Sequence, residues 1–158
     1  MVNITVANWH KYFNKEYNVE VDKDGDGRIK VYSPQNRYEN SKGLKLTEDG
    51  KGTFCSFKIT DASTKAGTYV FTVKNVPYYV GKCVNLYKRV NSGYGVISPR
   101  NCYKGGQNTN CRINKNILEE SRAGKTIKLY FYKNDNREKV EKETISCLKT
   151  IDRWNKQK

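Results

Sequence analysis

The chain has 158 residues, a length that suits one domain, or a core of about ninety residues with an extension. Its 30 Lys and Arg residues against 16 Asp and Glu residues give a formal charge of +14, and a charge of that size favours a polyanionic partner. We expect no transmembrane segment, because no apolar stretch approaches the roughly 20 residues that cross a bilayer, and no secretory signal, because the N-terminus lacks its basic start and apolar core.

The first 62 residues are predicted to form a β-rich N-terminal extension. Their apolar residues fall in short runs separated by polar and glycine-bearing segments. The predicted elements are a short helix over residues 2–13, strands over 17–21 and 28–32, a loop over 33–52, and a strand over 54–59 that docks on the edge of the core sheet. His10, the one histidine of the sequence, lies in this extension and is expected to be structural.

The turn between the two predicted strands has an unusual sequence, because residues 22–29 (DKDGDGRI) copy the first eight positions of a calcium-binding EF-hand loop. Position twelve would be Ser33, where that loop requires a bidentate Glu, and Pro34 blocks the helix that should follow. The segment is therefore predicted to be a hairpin turn, with weak calcium binding by Asp22 and its neighbours up to Gly27 as the alternative.

A second hairpin is predicted over residues 67–73 (GTYVFTV) and 78–81 (YYVG), which are β-branched and aromatic runs joined by a tight connection. Side chains alternate along a strand with a period of two, so Tyr69 and Tyr79 can approach each other across the hairpin.

Two cations follow this hairpin. A helix that begins near Asn85 would turn Arg89 back toward Lys82 at the end of the strand. We expect the two phenols, the ammonium and the guanidinium to converge on one face, where they would bind a phosphate strongly.

A Gly- and Asn-rich insertion loop is predicted over residues 91–110, and a loop of that length is usually functional or disordered. Many side chains in and just after it can hydrogen-bond phosphates or base edges. The predicted nucleic-acid-binding residues are Arg100, Tyr103, Lys104, Gln107, Asn108, Asn110 and Arg112. A solvated insertion is the alternative interpretation.

Helical periodicity returns after the loop. Residues 111–121 are predicted to form a helix with Ile113, Ile117 and Leu118 inward, ended by Gly124. A strand over 126–132 and a helix over 137–154 follow. The inward stripe predicted for the last helix consists of Val140, Cys147, Leu148 and Ile151.

The five cysteines show no CxxC spacing, which is typical of the reduced thiols of a cytoplasmic protein. Cys102 and Cys111 bracket part of the loop and could bind zinc together with Cys55 or Cys83, but the spacing differs from that of the usual zinc modules. Small buried side chains are the favoured interpretation, and zinc binding is the alternative.

Over roughly residues 65–157 the sequence resembles the GIY-YIG endonuclease superfamily. Residues 67–69 (GTY) stand in for the first tripeptide and 79–81 (YVG) for the second, and the intervals from Tyr79 to Lys82 and Arg89 match the family. Glu143 precedes Asn155 by twelve residues, as in the excision-repair incision nucleases of the superfamily.

The resemblance implies an α/β (α+β) fold: a nuclease core over residues 63–158, with a central sheet of about three strands flanked by helices. Gly67, Gly81 and Asn155 would support the structure. Asn155 would anchor the C-terminal segment and keep Glu143 aimed, since along one unbroken helix the two lie roughly 18 Å apart.

Catalytic roles also follow from the resemblance. Tyr69 would orient or deprotonate the attacking water, Tyr79 would bind the scissile phosphate, and Arg89 would stabilise its developing charge. A tyrosine pKa of about 10 is poorly matched to neutral pH, so either Lys82 or a metal-bound water would lower it, or Tyr69 only holds the water. Family members often carry His or Tyr four residues after the Arg. That position is a glycine here, and Tyr94 beside it is the substitute.

Glu143 is the carboxylate that the family pattern assigns to a metal. One carboxylate suffices for a single Mg²⁺ or Mn²⁺, because Mg²⁺ keeps most of its waters and takes substrate phosphate as a ligand. We therefore expect a metal-dependent endonuclease that hydrolyses double-stranded DNA, of restriction or defence type, with a homodimer as the arrangement that cuts both strands. The alternatives are a structure-specific repair, recombination or single-strand nuclease, and a non-catalytic nucleic-acid-binding protein.

Overall fold

The computed structural model describes residues 2–150 and 153–155, which form an α+β fold. The α-helices are α1 (Trp9–Tyr12), α2 (Asn108–Arg122) and α3 (Arg137–Leu148). The strands are β1 (Lys15–Asn18), β2 (Glu20–Val21), β3 (Val31–Tyr32), β4 (Phe54–Cys55), β5 (Phe57–Lys58), β6 (Gly67–Val73), β7 (Val76–Cys83) and β8 (Ile127–Lys133). Among the described residues, 3₁₀-helices cover Pro34–Arg37 and Pro99–Cys102, and a π-helix covers Lys88–Tyr94.

The chain divides into two compact units. Unit 1 takes its described residues from 1–19, 59–89 and 125–158, and unit 2 consists of 20–58 and 90–124. The predicted division into an extension over residues 1–62 and a core over 63–158 is therefore not the one observed. Residues 1–19 belong with the main sheet, and the predicted insertion loop belongs with residues 20–58.

Unit 1 is built on an antiparallel sheet with the strand order β1-β8-β6-β7. The predicted hairpin forms from β6 and β7, and β8 pairs along the other side of β6. The fourth strand, β1, was not predicted to join this sheet: the sequence pairs it with residues 28–32, whereas Tyr17 lies opposite Leu129 of β8. A free strand edge can accept a strand from anywhere in the chain, so local alternation does not reveal the partner.

One face of this sheet is covered by helices. Val70 and Val80 pack in one cluster with Val140 and Leu148 of α3, and with Trp9 of α1. Because side chains alternate along each strand, Tyr69, Phe71 and Tyr79 belong to the opposite face. The helix-covered face thus packs aliphatic and aromatic residues against α3 and α1, and the opposite face carries the two hairpin tyrosines with Phe71.

Helix α3 ends earlier than predicted. The periodicity extends the helix to Trp154, but the structure ends it at Leu148, and Lys149 adopts a left-handed conformation with φ 55°. The left-handed residue changes the direction of the chain, as it does at many helix C-termini. Ile151, predicted for the inward stripe, lies outside the described residues.

After α3 the chain closes the outer edge of β7. The Asn155 side chain accepts a hydrogen bond from Val80 N (2.8 Å) and donates one to Val80 O (2.9 Å), so it pairs with β7 as a peptide group would. Trp154 N donates to Tyr78 O at 3.0 Å, and Arg153 Nη1 donates to Pro77 O at 2.9 Å. The predicted anchoring role of Asn155 is confirmed.

Unit 2 contains two short antiparallel pairs, β2 with β5 and β3 with β4. The predicted strand over 54–59 is split at Ser56, and each half pairs with a different strand of this unit rather than with the core sheet. The 22–29 segment forms the predicted turn, with Lys23 bridged to Ile29. Asp24 Oδ1 accepts hydrogen bonds from the N–H groups of Asp26 (2.9 Å) and Arg28 (3.0 Å).

The main helix of unit 2 follows its prediction. Ile113, Ile117 and Leu118 are buried, and Gly124, with φ 77°, ends the helical segment. Asn114, on the same helix and fully buried, pairs with Cys55 as Asn155 pairs with Val80: its Oδ1 accepts from Cys55 N (3.0 Å), and its Nδ2 donates to Cys55 O (2.7 Å). We call each of these pairings of an Asn side chain with both backbone groups of one residue a clasp.

Replacement of Asn155 by Ala should destabilise unit 1 by about 2–4 kcal/mol, because it leaves a buried N–H and a buried C=O without their partner. Urea unfolding followed by circular dichroism measures the change. Asn14→Ala, at an exposed position of the same unit, is the control. Equal stability of the two variants would show that the clasp contributes nothing.

Candidate active site

The two tyrosines of the hairpin come together as predicted. Tyr69 lies directly opposite Gly81 in the β6–β7 register, and Tyr79 is two residues before Gly81, on the same face of β7. The ring centroids of the two tyrosines are 6.4 Å apart. Phe71 joins them, with centroids 5.8 Å from Tyr69 and 6.4 Å from Tyr79.

The two motif glycines make room for aromatic rings. A Cβ on Gly81 would lie 2.5 Å from Cζ of Tyr69, and a Cβ on Gly67 would lie 2.6 Å from Cε1 of Phe131. Such distances are far inside van der Waals contact, so no other residue fits without displacing a ring. The predicted supporting roles of Gly67 and Gly81 thus have a steric cause.

The phenols are more deeply buried than their predicted roles require. Tyr69 has 0 % of its surface exposed and Tyr79 has 8 %. A water activated by Tyr69 would have to enter this aromatic cluster. Tyr79 is therefore the better placed of the two to meet a phosphate.

Lys82 does not share the face of the tyrosines, and the prediction that it does is wrong. It lies opposite Thr68 in the register, three residues after Tyr79, so alternation directs it to the face covered by α3. Its Nζ lies 3.0 Å from Oε1 of Glu138, near the start of α3. Lys82 therefore forms an ion pair with Glu138 rather than acting on Tyr69.

Arg89 lies on the predicted helix. Asn85 begins it: its Oδ1 accepts from Lys88 N (3.0 Å), and its backbone O accepts from Arg89 N (3.1 Å). Burial raises the pKa of the Cys83 thiol, and the nearby guanidinium groups of Arg89 and Arg137 oppose that rise. Arg89 and Arg137 thus both lie near the end of β7.

Cations gather where β7 ends and α3 begins. Lys82 holds the pKa of Glu138 below its ordinary value, first through their hydrogen bond, and Lys142 and Arg137 act in the same direction. We call Lys82, Arg89, Arg137 and Lys142 the end cluster. Unit 1 as a whole has 17 of the 30 Lys and Arg residues and 7 of the 16 Asp and Glu residues, a formal charge of +10. Its field favours a polyanion.

Glu143 lies apart from the end cluster. Five residues along a helix correspond to a rotation of about 140°, so Glu138 and Glu143 point in different directions. Oε1 of Glu143 is 3.9 Å from Nζ of Lys139, and 37 % of its side chain is exposed. Helix α3 packs on the sheet face opposite the two tyrosines. The predicted grouping of Glu143 with Tyr69 and Tyr79 on one face is therefore not the arrangement of these elements.

The predicted loop over 91–110 is largely regular structure, because it comprises most of the π-helix, a 3₁₀-helix and the start of α2. Tyr94 belongs to unit 2 and has 2 % of its surface exposed. Its backbone O accepts a hydrogen bond from Asn114 Nδ2 at 2.8 Å, so Tyr94 has a packing role in that unit.

Several residues predicted to bind nucleic acid make contacts within unit 2. Arg100 Nη1 donates to the carbonyl groups of Tyr103 (3.2 Å) and Lys104 (3.1 Å). Tyr103 Oη donates to Gln35 O at 3.0 Å, and Asn108 Nδ2 donates to Asp49 Oδ2 at 2.8 Å. Asn110 is buried and Arg112 is half-buried, whereas Lys104 and Gln107 are exposed. These contacts also exclude the alternative interpretation, in which residues 91–110 form a solvated insertion.

The cysteines are free thiols, and four of the five are buried. Burial raises the pKa of Cys55 and of Cys111 to about 12, which keeps both protonated at neutral pH, whereas a zinc ligand must be a thiolate. Within residues 2–150 and 153–155, no three His, Cys, Asp or Glu side chains group into a possible metal site. The burial of four of the thiols fits the packing interpretation.

No helix in the described part of the chain is both long enough and apolar enough to cross a membrane. Comparison with known proteins gives no match to a family model, to a curated protein or to a solved structure.

Replacement of Gly81 by Ala should destabilise the protein by about 1–3 kcal/mol, because the new methyl group overlaps the buried Tyr69 ring. The loss should be smaller in a Tyr69→Phe background, since the hydroxyl oxygen is the atom nearest to the new Cβ. Denaturant unfolding of the wild type, of Gly81→Ala, of Tyr69→Phe and of the double variant measures the coupling free energy between the two substitutions. Gly25→Ala, where nothing lies within 4 Å, is the control; additive losses at 69 and 81 would contradict this packing.

Removal of the Lys82 charge by Lys82→Met should raise the pKa of Glu138 toward its ordinary value of 4.5. NMR titration of the Glu138 carboxyl carbon measures it, with Lys74→Met as the control. A lowered folded pKa stabilises the folded state above the unfolded pKa, so this contribution is lost as the pH falls through the folded value. An unchanged pKa in Lys82→Met would mean that the ion pair does not form.

Proposed function

We propose that this chain is a metal-dependent endonuclease of the GIY-YIG type that hydrolyses phosphodiester bonds in double-stranded DNA, in a restriction or defence role. The observation that carries the proposal is the hairpin register, in which Tyr69 lies across Gly81 beside Tyr79. That arrangement gives a physical reason for both tripeptides of the resemblance. The helix bearing Arg89 and the Asn155 clasp are its further supports.

The residues of this chain would divide the chemistry as follows. Tyr79, which keeps 8 % of its surface exposed, would donate a hydrogen bond to the scissile phosphate. The guanidinium of Arg89 would stabilise the negative charge that develops in the transition state, which is where preorganised donors contribute most. Tyr69, fully buried, would hold the Tyr79 ring in place. The end cluster would attract the DNA backbone and increase the rate of encounter.

A divalent metal is part of this proposal, and Glu143 is the residue that would hold it. The carboxylate is partly exposed, and its pairing with Lys139 at 3.9 Å is weak, which fits a single ligand to a largely hydrated Mg²⁺ or Mn²⁺. When bound, the ion would supply an activated water and neutralise charge on the leaving oxygen.

A non-catalytic DNA-binding protein is the second candidate. Two observations favour it: the full burial of Tyr69, and the position of Glu143 on the helix that covers the opposite face of the sheet. Both candidates predict affinity for DNA that falls steeply with salt, because lysines and arginines displace counterions. The two candidates differ only in whether the protein cleaves the phosphodiester bonds of the DNA that it binds.

Glu143→Gln should lower the cleavage rate of plasmid DNA in Mg²⁺ by at least about 100-fold while leaving DNA affinity nearly unchanged, because the carboxylate acts on the reaction and not on binding. Gel analysis of supercoiled plasmid, with sequencing of the product ends, measures cleavage, and a defined fragment ladder is expected of a restriction-type enzyme. Glu39→Gln changes the same charge at an exposed position of unit 2 and should cleave like the wild type. Binding without cleavage by the wild type would establish the second candidate instead.

A further inference from the structure

A cleft of about 380 Å³ opens on unit 2 beside the 22–29 turn. The described residues that line it are Lys23, Gly27, Arg28, Ile29, Ser121 and Arg122. Three of these six are cations, none is acidic, and Ser121 adds a hydroxyl donor. The chemistry of this cleft is that of an anion-binding site.

The turn sequence explains why a motif rich in Asp presents basic residues. Asp24 Oδ1 accepts the N–H groups of Asp26 and Arg28, so this carboxylate is occupied inside the turn. The bridge between Lys23 and Ile29 fixes the base of the turn, where Lys23 and Arg28 lie. Asp24 therefore shapes the turn, and the basic side chains beside it line the cleft.

Arg122, at the end of α2, borders a second cleft of about 340 Å³. Thr53, Lys115, Leu118 and Glu119 complete the described lining of that cleft. Arg122 thus lines both clefts, with Lys23 and Arg28 in the first and Lys115 in the second, and Glu119 is the acid among their described lining residues. An extended series of cations matches a row of phosphates better than a single small anion.

We propose that these adjoining clefts form a second DNA-binding surface, in which Lys23, Arg28 and Arg122 contact phosphates of the duplex backbone. We call it the Arg122 track. It rests on the proposed function insofar as the ligand is DNA, and it assigns unit 2 the task of holding the substrate. None of its residues is among those predicted from the sequence to bind nucleic acid.

The test is a salt series of duplex affinity for Lys23→Gln/Arg28→Gln/Arg122→Gln, measured by fluorescence anisotropy without divalent metal. If each side chain neutralises one phosphate, the slope of log affinity against log salt should become shallower by about 2.7, since each contact contributes roughly 0.9. At low salt the triple variant should bind at least about tenfold more weakly than the wild type. Circular dichroism and thermal unfolding identify a variant that has not folded.

Arg37→Gln/Lys42→Gln/Lys45→Gln is the matched control, because it removes the same charge from exposed positions of unit 2 outside the clefts. A control that weakens binding as much as the track variant would overturn the proposal, since net charge alone would then explain the loss. Displacement of the duplex by inorganic phosphate as effectively as by unlabelled duplex would also overturn it, because the site would hold a single ion.

The outcomes for the track and for the nuclease can be separated. If the wild type cleaves DNA and the track variant binds as tightly as the wild type, the track is wrong and the nuclease proposal stands. If the wild type binds duplex without cleaving it and the track variant loses that binding, the track stands and the nuclease proposal fails.

Discussion

The packing of two aromatic rings onto two glycines is the constraint on which the central sheet of unit 1 depends. Tyr69 lies across Gly81, and the ring of Phe131, which is paired with Tyr69, packs over Gly67, at distances that exclude any side chain on either glycine. These contacts join β6 to β7 and β6 to β8, so they fix the register of three strands. They also bury Tyr69 completely. The residue that the motif suggests as a water activator is thus first a structural anchor, and under the proposed function Tyr79 and Arg89 would contact the phosphate.

Side-chain amides complete the backbone pairing that strands alone do not provide. Asn155 pairs with both backbone groups of Val80 in unit 1, and Asn114 does the same for Cys55 in unit 2. A buried backbone group without a partner costs about as much as a lost hydrogen bond or more, so each clasp removes two such penalties. An amide is the side chain that can do this, because it carries a donor and an acceptor with the spacing of a peptide group.

Charge is distributed unequally between the two units, and the difference suits two tasks. Unit 1 has a formal charge of +10, which includes the end cluster, whereas unit 2 carries the remaining +4 of the total +14. In unit 2, Asp24 is engaged in the turn, and the cations beside it line a cleft. Under the two proposals, unit 1 would attract DNA by its overall field, and unit 2 would offer a localised contact.

Local pattern and motif spacing alone determined the hairpin, the approach of Tyr69 to Tyr79, the helix that bears Arg89 and the buried stripe of α2. Each depends on residues close in sequence or on a fixed interval. The period of two also directs Lys82 away from Tyr79, so its face was predictable and was missed. Only the tertiary structure decided that β1 joins β8, that α3 ends at Leu148, that Lys82 meets Glu138 rather than Tyr69, and that residues 90–124 belong with 20–58. The physical reason is that strand edges and helix faces can pack against segments distant in sequence. The local periodicity of apolar residues does not specify which of those segments becomes the partner.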